Sequence, residues 1–357
     1  METARWRTHR RSQLPIFHSL GKQLFKVRES TVALTTTEAV SCAPIVSDLG
    51  ASASLHTSFL PFTTVSQQIL TSKVYSFHKS ISMIYEYQEF KLNSVLSRYI
   101  DCVWTESYTK RPENKGRTYL VVPDNTVELI FTSGTLERQI KDGSGKVEVL
   151  GSHLSGLKTI AQDVKVNGEM GISVRFKPNG LYPFIKPGLK ETVNQSIPIE
   201  DLFGKDMLEL ESKLFETQCL LNRVRLIETY FMKRLLTLNR QADATFDYLI
   251  NRIVDGRGAH RILDLAEETG VTIKTFERKF MQNLGVSPKQ CGQLIRLFHT
   301  LKATNKASQV NLTSIAHDNG FYDQMHFIKE MKKFTRLTPG EYLKAPRDLQ
   351  MPIFTRN

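Results

Sequence analysis

Near its C-terminus the chain repeats one short pattern, and the repetition leaves few folds open to it. The first copy reads Ile262, Leu265, Ala266, Gly270, Val271 and Thr272, then Phe276 and Phe280. The second reads Leu312, Ile315, Ala316, Gly320, Phe321, Tyr322 and Asp323, then Phe327 and Met331. From Ile262/Leu312 to Gly270/Gly320 the offset is 50, and from Thr272/Asp323 to Pro288/Pro339 it is 51, so the second turn holds one extra residue. Chance rarely preserves apolar spacing, a turn glycine and a proline stop together, which points to two related helix-turn-helix units rather than one helical core. In each unit a small alanine lets two helices approach, and glycine supplies the φ > 0 conformation of the turn. Thr272 and Asp323 are then placed as N-caps of the second helices, with Val271/Phe276 and Tyr322/Phe327 as hydrophobic staples.

Once the caps fix the helical phase, Phe276 and Phe280 point inward, so Lys274, Thr275, Glu277, Arg278 and Gln282 look outward. By the same phasing Gln324, Met325, His326, Ile328, Lys329 and Lys332 look outward from the second unit. Arg278 and Lys329 occupy equivalent positions and suit guanine O6/N7 or a phosphate. Glu277 suits cytosine N4, and Met325 and Ile328 suit thymine methyls. Between the units Pro288 opens a helix expected to reach about Thr304. At ~1.5 Å per residue its eighteen residues span ~27 Å, comparable with the ~34 Å turn of B-DNA. Such a rod presents two reading helices side by side without a dimer. A further helix is expected beneath the first unit, with Phe246, Leu249, Ile250 and Ile253 on one face and an end at Asp255-Gly256.

Charge favours a polyanionic partner. The chain has 48 Lys+Arg against 36 Asp+Glu, a net charge of +12. Residues 255 to 347 hold 15 basic against 9 acidic residues, a net of +6, so half the excess lies where the repeat lies. Cys42, Cys102, Cys219 and Cys291 are far apart, with no CxxC pair and no histidine at ligand spacing. Neither a metal site nor a disulfide framework is indicated, and a reducing cytoplasm fits best. No apolar run reaches the ~18 residues of a membrane span, so no membrane partner is expected. There is no glycine-rich phosphate loop and no paired carboxylate, so neither cofactor nor enzyme activity is expected. The rival readings are a DNA-modifying enzyme with an appended DNA-binding domain, its nucleophile a cysteine such as Cys102 or Cys219, and an architectural DNA binder.

Upstream, residues 1–82 open with Arg5, Arg7, Arg10 and Arg11 and are rich in Ser and Thr without sustained periodicity, the composition of a disordered extension. Patterned sequence begins after Met83, which makes that residue an alternative natural start. In the next part Val127, Leu129 and Phe131, and Ile172, Val174 and Phe176, alternate with their neighbours as strands with one face inward. Pro123-Asp124-Asn125 and Asp142-Gly143-Ser144-Gly145 are turn chemistry, the second a hairpin tip. Helices are expected over Met207–Phe215 and Leu220–Leu238. The expected fold class is therefore α+β: a β-rich N-terminal domain with C-terminal helices over 83–238, a linker at 239–244, an all-α double helix-turn-helix domain over 245–345, and a tail at 346–357.

At these residues the sequence resembles an AraC-type transcriptional regulator. The first half of the resemblance is carried by Leu265-Ala266-Glu267-Glu268-Thr269-Gly270-Val271-Thr272, Phe276-Glu277-Arg278-Lys279-Phe280 and Leu284-Gly285-Val286-Ser287-Pro288. The second is carried by Ile315-Ala316, Gly320-Phe321-Tyr322-Asp323-Gln324, His326-Phe327 and Leu337-Thr338-Pro339-Gly340-Glu341-Tyr342. The resemblance implies a domain that binds double-stranded DNA near a promoter, with RNA polymerase as a further partner and a homodimer and a small-molecule effector as options of the family. It also implies base contacts from Lys274, Glu277, Arg278, Gln324, Met325, Ile328 and Lys329. The segment with Trp104, Pro123-Asp124, Leu129-Ile130-Phe131, Gly151 and Arg175-Phe176-Lys177-Pro178-Asn179-Gly180 is similar to small N-terminal domains found on a subset of these regulators, which implies a sensing or dimerising role. Two positions depart from the pattern. Met331 replaces the usual Phe, a swap a core tolerates, and Arg336 replaces the usual Gly after the second reading helix, where a left-handed conformation costs about 1 kcal/mol. A phosphate contact by Arg336 is one way to recover that cost.

Overall fold

The computed structural model describes residues 27–32, 72–79, 83–108, 118–139, 146–167, 170–185, 189–240, 243–306 and 311–344. An antiparallel β-rich part leads into helices, as an α+β chain should. The strands are β1 (Val27–Val32), β2 (Ser72–Lys79), β3 (Met83–Phe90), β4 (Ile100–Tyr108), β5 (Thr118–Val121), β6 (Val127–Thr132), β7 (Leu136–Gln139), β8 (Val147–Leu150), β9 (His153–Ser155), β10 (Gln162–Val166), β11 (Met170–Phe176) and β12 (Ser196–Pro198). They form an eight-stranded sheet in the order β1-β2-β3-β4-β11-β6-β9-β12 and a four-stranded sheet in the order β5-β10-β7-β8.

Within the stretch to residue 82, β1 and β2 extend the larger sheet, with Tyr75 opposite Tyr87. Val74, Tyr75 and Phe77 are residue types favoured in strands, and β2 pairs along the whole of β3. The rest of that stretch, the 142–145 hairpin tip and the tail from 346 lie outside the described residues. One expectation is corrected in β6 and β11, expected to bury one face each. Leu129, Phe131, Ile172, Val174 and Phe176 are buried as expected, but so are their alternates Glu128, Ser173 and Arg175. Arg175 is 1% exposed and compensated: its Nε donates to Glu128, a second guanidinium nitrogen lies 3.5 Å from Glu89, and the group stacks 5.4 Å from the Trp104 ring centroid. A charge can be taken out of water only with such partners.

The motif around Arg175 ends in Gly180, whose need for glycine is steric. A Cβ there would come within 1.7 Å of the Tyr99 carbonyl oxygen, to which Lys177 donates its backbone N–H. The apolar face of the larger sheet is closed by helices. α1 (Ile199–Phe203) and α2 (Lys205–Glu216) precede α3 (Leu220–Leu238), and Phe231 of α3 meets Phe176 and Phe184 edge-on at 5.7 and 5.0 Å. Cys102 and Cys291 are free and buried. Asn239 ends α3 in the left-handed conformation, and Asp243, expected in the linker, is the N-cap of α4 (Ala244–Asp255). The remaining helices are α5 (Ile262–Thr269), α6 (Ile273–Asn283), α7 (Pro288–Lys306), α8 (Leu312–Asp318), α9 (Gln324–Thr335) and α10 (Pro339–Lys344).

Candidate nucleic-acid interface

The doubled pattern folds as two helix-turn-helix units, α5/α6 and α8/α9, joined by the rod α7. Backbone bonds in the two turns correspond closely. Gly270 N–H donates to Glu267 O at 3.2 Å and Val271 N–H to Ala266 O at 3.1 Å; Gly320 N–H donates to His317 O and Phe321 N–H to Ala316 O, each at 3.0 Å. Gly270 and Gly320 both have positive φ, +65° and +74°. Thr272 then accepts the N–H of Thr275 at 3.3 Å and Asp323 that of His326 at 2.7 Å, so each reading helix carries the expected cap.

The correspondence identifies the extra residue. Phe321 is the counterpart of Val271, is buried, and packs 5.1 Å from Phe327. Tyr322 is therefore the insertion, and it is 91% exposed. The expected Tyr322/Phe327 staple is thus corrected to Phe321/Phe327: the added residue is looped out between turn and cap, and the aromatic ring that stays in register takes the core.

On α6 Lys274, Glu277, Arg278 and Gln282 are exposed and Thr275 is half-buried beside its cap, while Phe276 and Phe280 are buried against α4, where Phe246 lies 5.0 Å from Phe280. On α9 Met325, Lys329 and Lys332 are exposed. Gln324, His326 and Ile328 are half-buried: Gln324 accepts from Thr313 of α8 at 3.0 Å, and the His326 ring lies 3.4 Å from Glu330. Met325 is 59% exposed, which leaves much of its apolar surface open to solvent. α7 has 19 residues, or ~28 Å of helix.

Sequence reasoning missed what holds each reading helix from behind. Lys279 on α6 pairs with Asp243, the cap of α4. Burial would raise Asp243, but the Lys279 ammonium and the Phe246 amide outweigh it and hold the carboxyl below its usual range. On α9 the corresponding residue is Glu330, which accepts from Gln293 at 2.8 Å and Arg296 at 3.2 Å, both on α7. Arg296 also donates to the Gly320 carbonyl and stacks 4.9 Å from the Phe321 ring centroid. The only available signal was the offset of 51, which relates Lys279 to Glu330. Arg336 was singled out correctly as left-handed, with φ +66°, but its guanidinium faces protein: it makes a two-pronged ion pair with Asp163 of β10 at 2.8 and 2.9 Å. Among the described residues no cluster of metal-ligating side chains is found, and no helix is long and apolar enough to cross a membrane. Burial pushes the Cys102 thiol up to about 12, with Arg175 opposing, and raises Cys291 as well, which leaves neither as a thiolate.

A β-rich domain is followed by two capped helix-turn-helix units on a helical rod, the arrangement that the resemblance to AraC-type regulators implies. Residues 265–345 match the family described as a helix-turn-helix domain, and residues 88–198 match the Domain of unknown function (DUF6597). The chain is similar to an uncharacterized HTH-type transcriptional regulator of Haemophilus influenzae, 32% identical over 84 residues, which are 24% of this chain and 28% of that one. It is also similar to the HTH-type transcriptional activator RhaS of Pectobacterium atrosepticum, 26% identical over 92 residues, covering 26% and 30% of the two chains. The chain thus spans under a third of the length of these relatives. Among solved structures ToxT of Vibrio cholerae is similar with a TM-score of 0.38 and 14% identity, over 65% of this chain and 94% of that one.

Proposed function

We propose that the protein is a sequence-specific DNA-binding transcriptional regulator that lays α6 and α9 in successive major grooves of one duplex. One observation carries this reading: both reading helices bury their aromatic or methionine pairs while an exposed face with basic residues remains on each, Lys274 and Arg278 on α6 and Lys329 and Lys332 beside Met325 on α9. Lys274, Thr275, Glu277 and Arg278 read one groove, and Gln324, Met325, His326, Ile328 and Lys329 the other, with Lys332 on a phosphate. The β-rich domain carries the regulatory input, from a small-molecule effector or a second copy of the chain, and RNA polymerase is the downstream partner, all in the cytoplasm. The charged cluster buried inside that domain, Glu128 and Arg175 with Asp124 and Lys158, supports an input role, because apolar packing alone does not call for it.

Selection of duplexes from a random pool by the full chain tests the reading. The expected outcome is a two-part sequence whose halves lie about 10 base pairs apart. Arg278→Ala then costs about 1 to 3 kcal/mol and relaxes preference at one base pair, whereas Lys332→Ala weakens all sequences alike and lowers the salt slope by about 1. A pool that yields no common sequence would instead favour the architectural binder.

A further inference from the structure

The two units end their reading helices in the same way, with a left-handed residue at equivalent positions: Gly285, φ +80°, after α6 and Arg336, φ +66°, after α9. Both residues abut the β-rich domain. At the first, a Cβ on Gly285 would come within 2.7 Å of the Leu189 carbonyl oxygen and 2.6 Å of Val193 Cγ2, so the segment 189–193 lies directly on that corner. At the second, Asp163 grips Arg336, and the backbone N–H of Ala161 donates to the carbonyl of Phe334 at 2.8 Å, one of the last four carbonyls that a helix cannot satisfy internally.

The two contacting segments are not independent of each other. Asn194, itself left-handed at φ +60°, donates its backbone N–H to Leu157 O at 2.9 Å and accepts the Thr159 N–H on its side-chain oxygen at 2.8 Å. Its carbonyl accepts from Arg138 at 2.8 Å and from Gln162 at 3.2 Å. The 157–163 and 189–195 segments are therefore cross-tied into one two-pronged piece, with one prong at the trailing corner of each reading helix.

Resting on the DNA-binding reading above, we propose that this piece sets the separation of the two reading helices, with Asp163 and Arg336 as its positioning residues on the second unit. Neither touches DNA; they act through α9. The forked guanidinium held at two oxygens fixes direction as well as distance, which a single hydrogen bond does not. The β-rich domain thereby dictates which half-site spacing the chain accepts, and anything that shifts it changes operator choice rather than contact with either half alone.

The test uses the full chain and three duplexes built from its own selected sequence: the native one, one with a single base pair inserted between the halves, and one carrying one half only. Asp163→Asn, which keeps shape and removes charge, is expected to lower the preference for native over inserted spacing about five- to tenfold, the scale of coupling between contacting residues, with affinity for the single half unchanged. The exchange Asp163→Arg with Arg336→Asp restores the pair in reverse and should restore the preference, since Asp tolerates the left-handed conformation. An unchanged spacing preference in Asp163→Asn, an equal loss on one half and on two, or an exchange that restores nothing would overturn the proposal. If the unaltered chain selects no two-part sequence, it is the DNA-binding reading that fails.

Discussion

In the first helix-turn-helix unit the reading helix is braced by a lysine that reaches an acid on the supporting helix; in the second an acid at the equivalent place reaches an arginine. Lys279 and Asp243 remain partly open to solvent, while Glu330 and Arg296 are nearly closed off, with side chains 6% and 15% exposed. Arg296 adds a carbonyl and an aromatic face to its partners, which Lys279 does not. The comparison teaches that the repeat conserves a direction of approach, not a chemistry. A side chain at this position always faces the preceding helix, α4 or α7, and any compensated pair satisfies it. It also separates the units energetically, because the more buried ion pair that loses one partner leaves a charge stranded, whereas the one more open to solvent is hydrated more readily.

The largest expected effect follows directly. Glu330→Ala should destabilise the full chain by about 3 kcal/mol, since Arg296 loses its carboxylate partner and keeps only a carbonyl and an aromatic face, while Lys279→Ala should cost about 1 kcal/mol or less. Urea denaturation checks both, and matched losses would break the distinction drawn between the units. The next effect sharpens the register of the second turn. Phe321→Ala should cost about 3 kcal/mol as a buried aromatic truncation, and Tyr322→Ala should stay within about 0.5 kcal/mol because its side chain touches little. A large loss at Tyr322 would show that the insertion lies one residue earlier.

Much of the helical half was legible in the sequence because its determinants are local. Thr272 and Asp323 cap what they were expected to cap, Gly270 and Gly320 turn where only φ > 0 serves, and Phe246, Leu249, Ile250 and Ile253 bury one face of α4. The staple at Tyr322 went wrong by one residue, since spacing alone does not say which member of an insertion loops out. In the β-rich half alternation located β6 and β11 but misjudged Glu128, Ser173 and Arg175, because period two cannot distinguish a solvated face from a buried polar one. Long-range partners left no trace: 173 positions separate Asp163 from Arg336, and 34 separate Arg296 from Glu330. Nothing in a single sequence links such residues.

Hydroxyl-radical footprinting of the full chain on its selected duplex tests the central claim most directly. Two protected patches on one face of the DNA, about one helical turn apart, are the predicted result. A single patch, or two patches on opposite faces, would contradict the placement of α6 and α9 in successive major grooves.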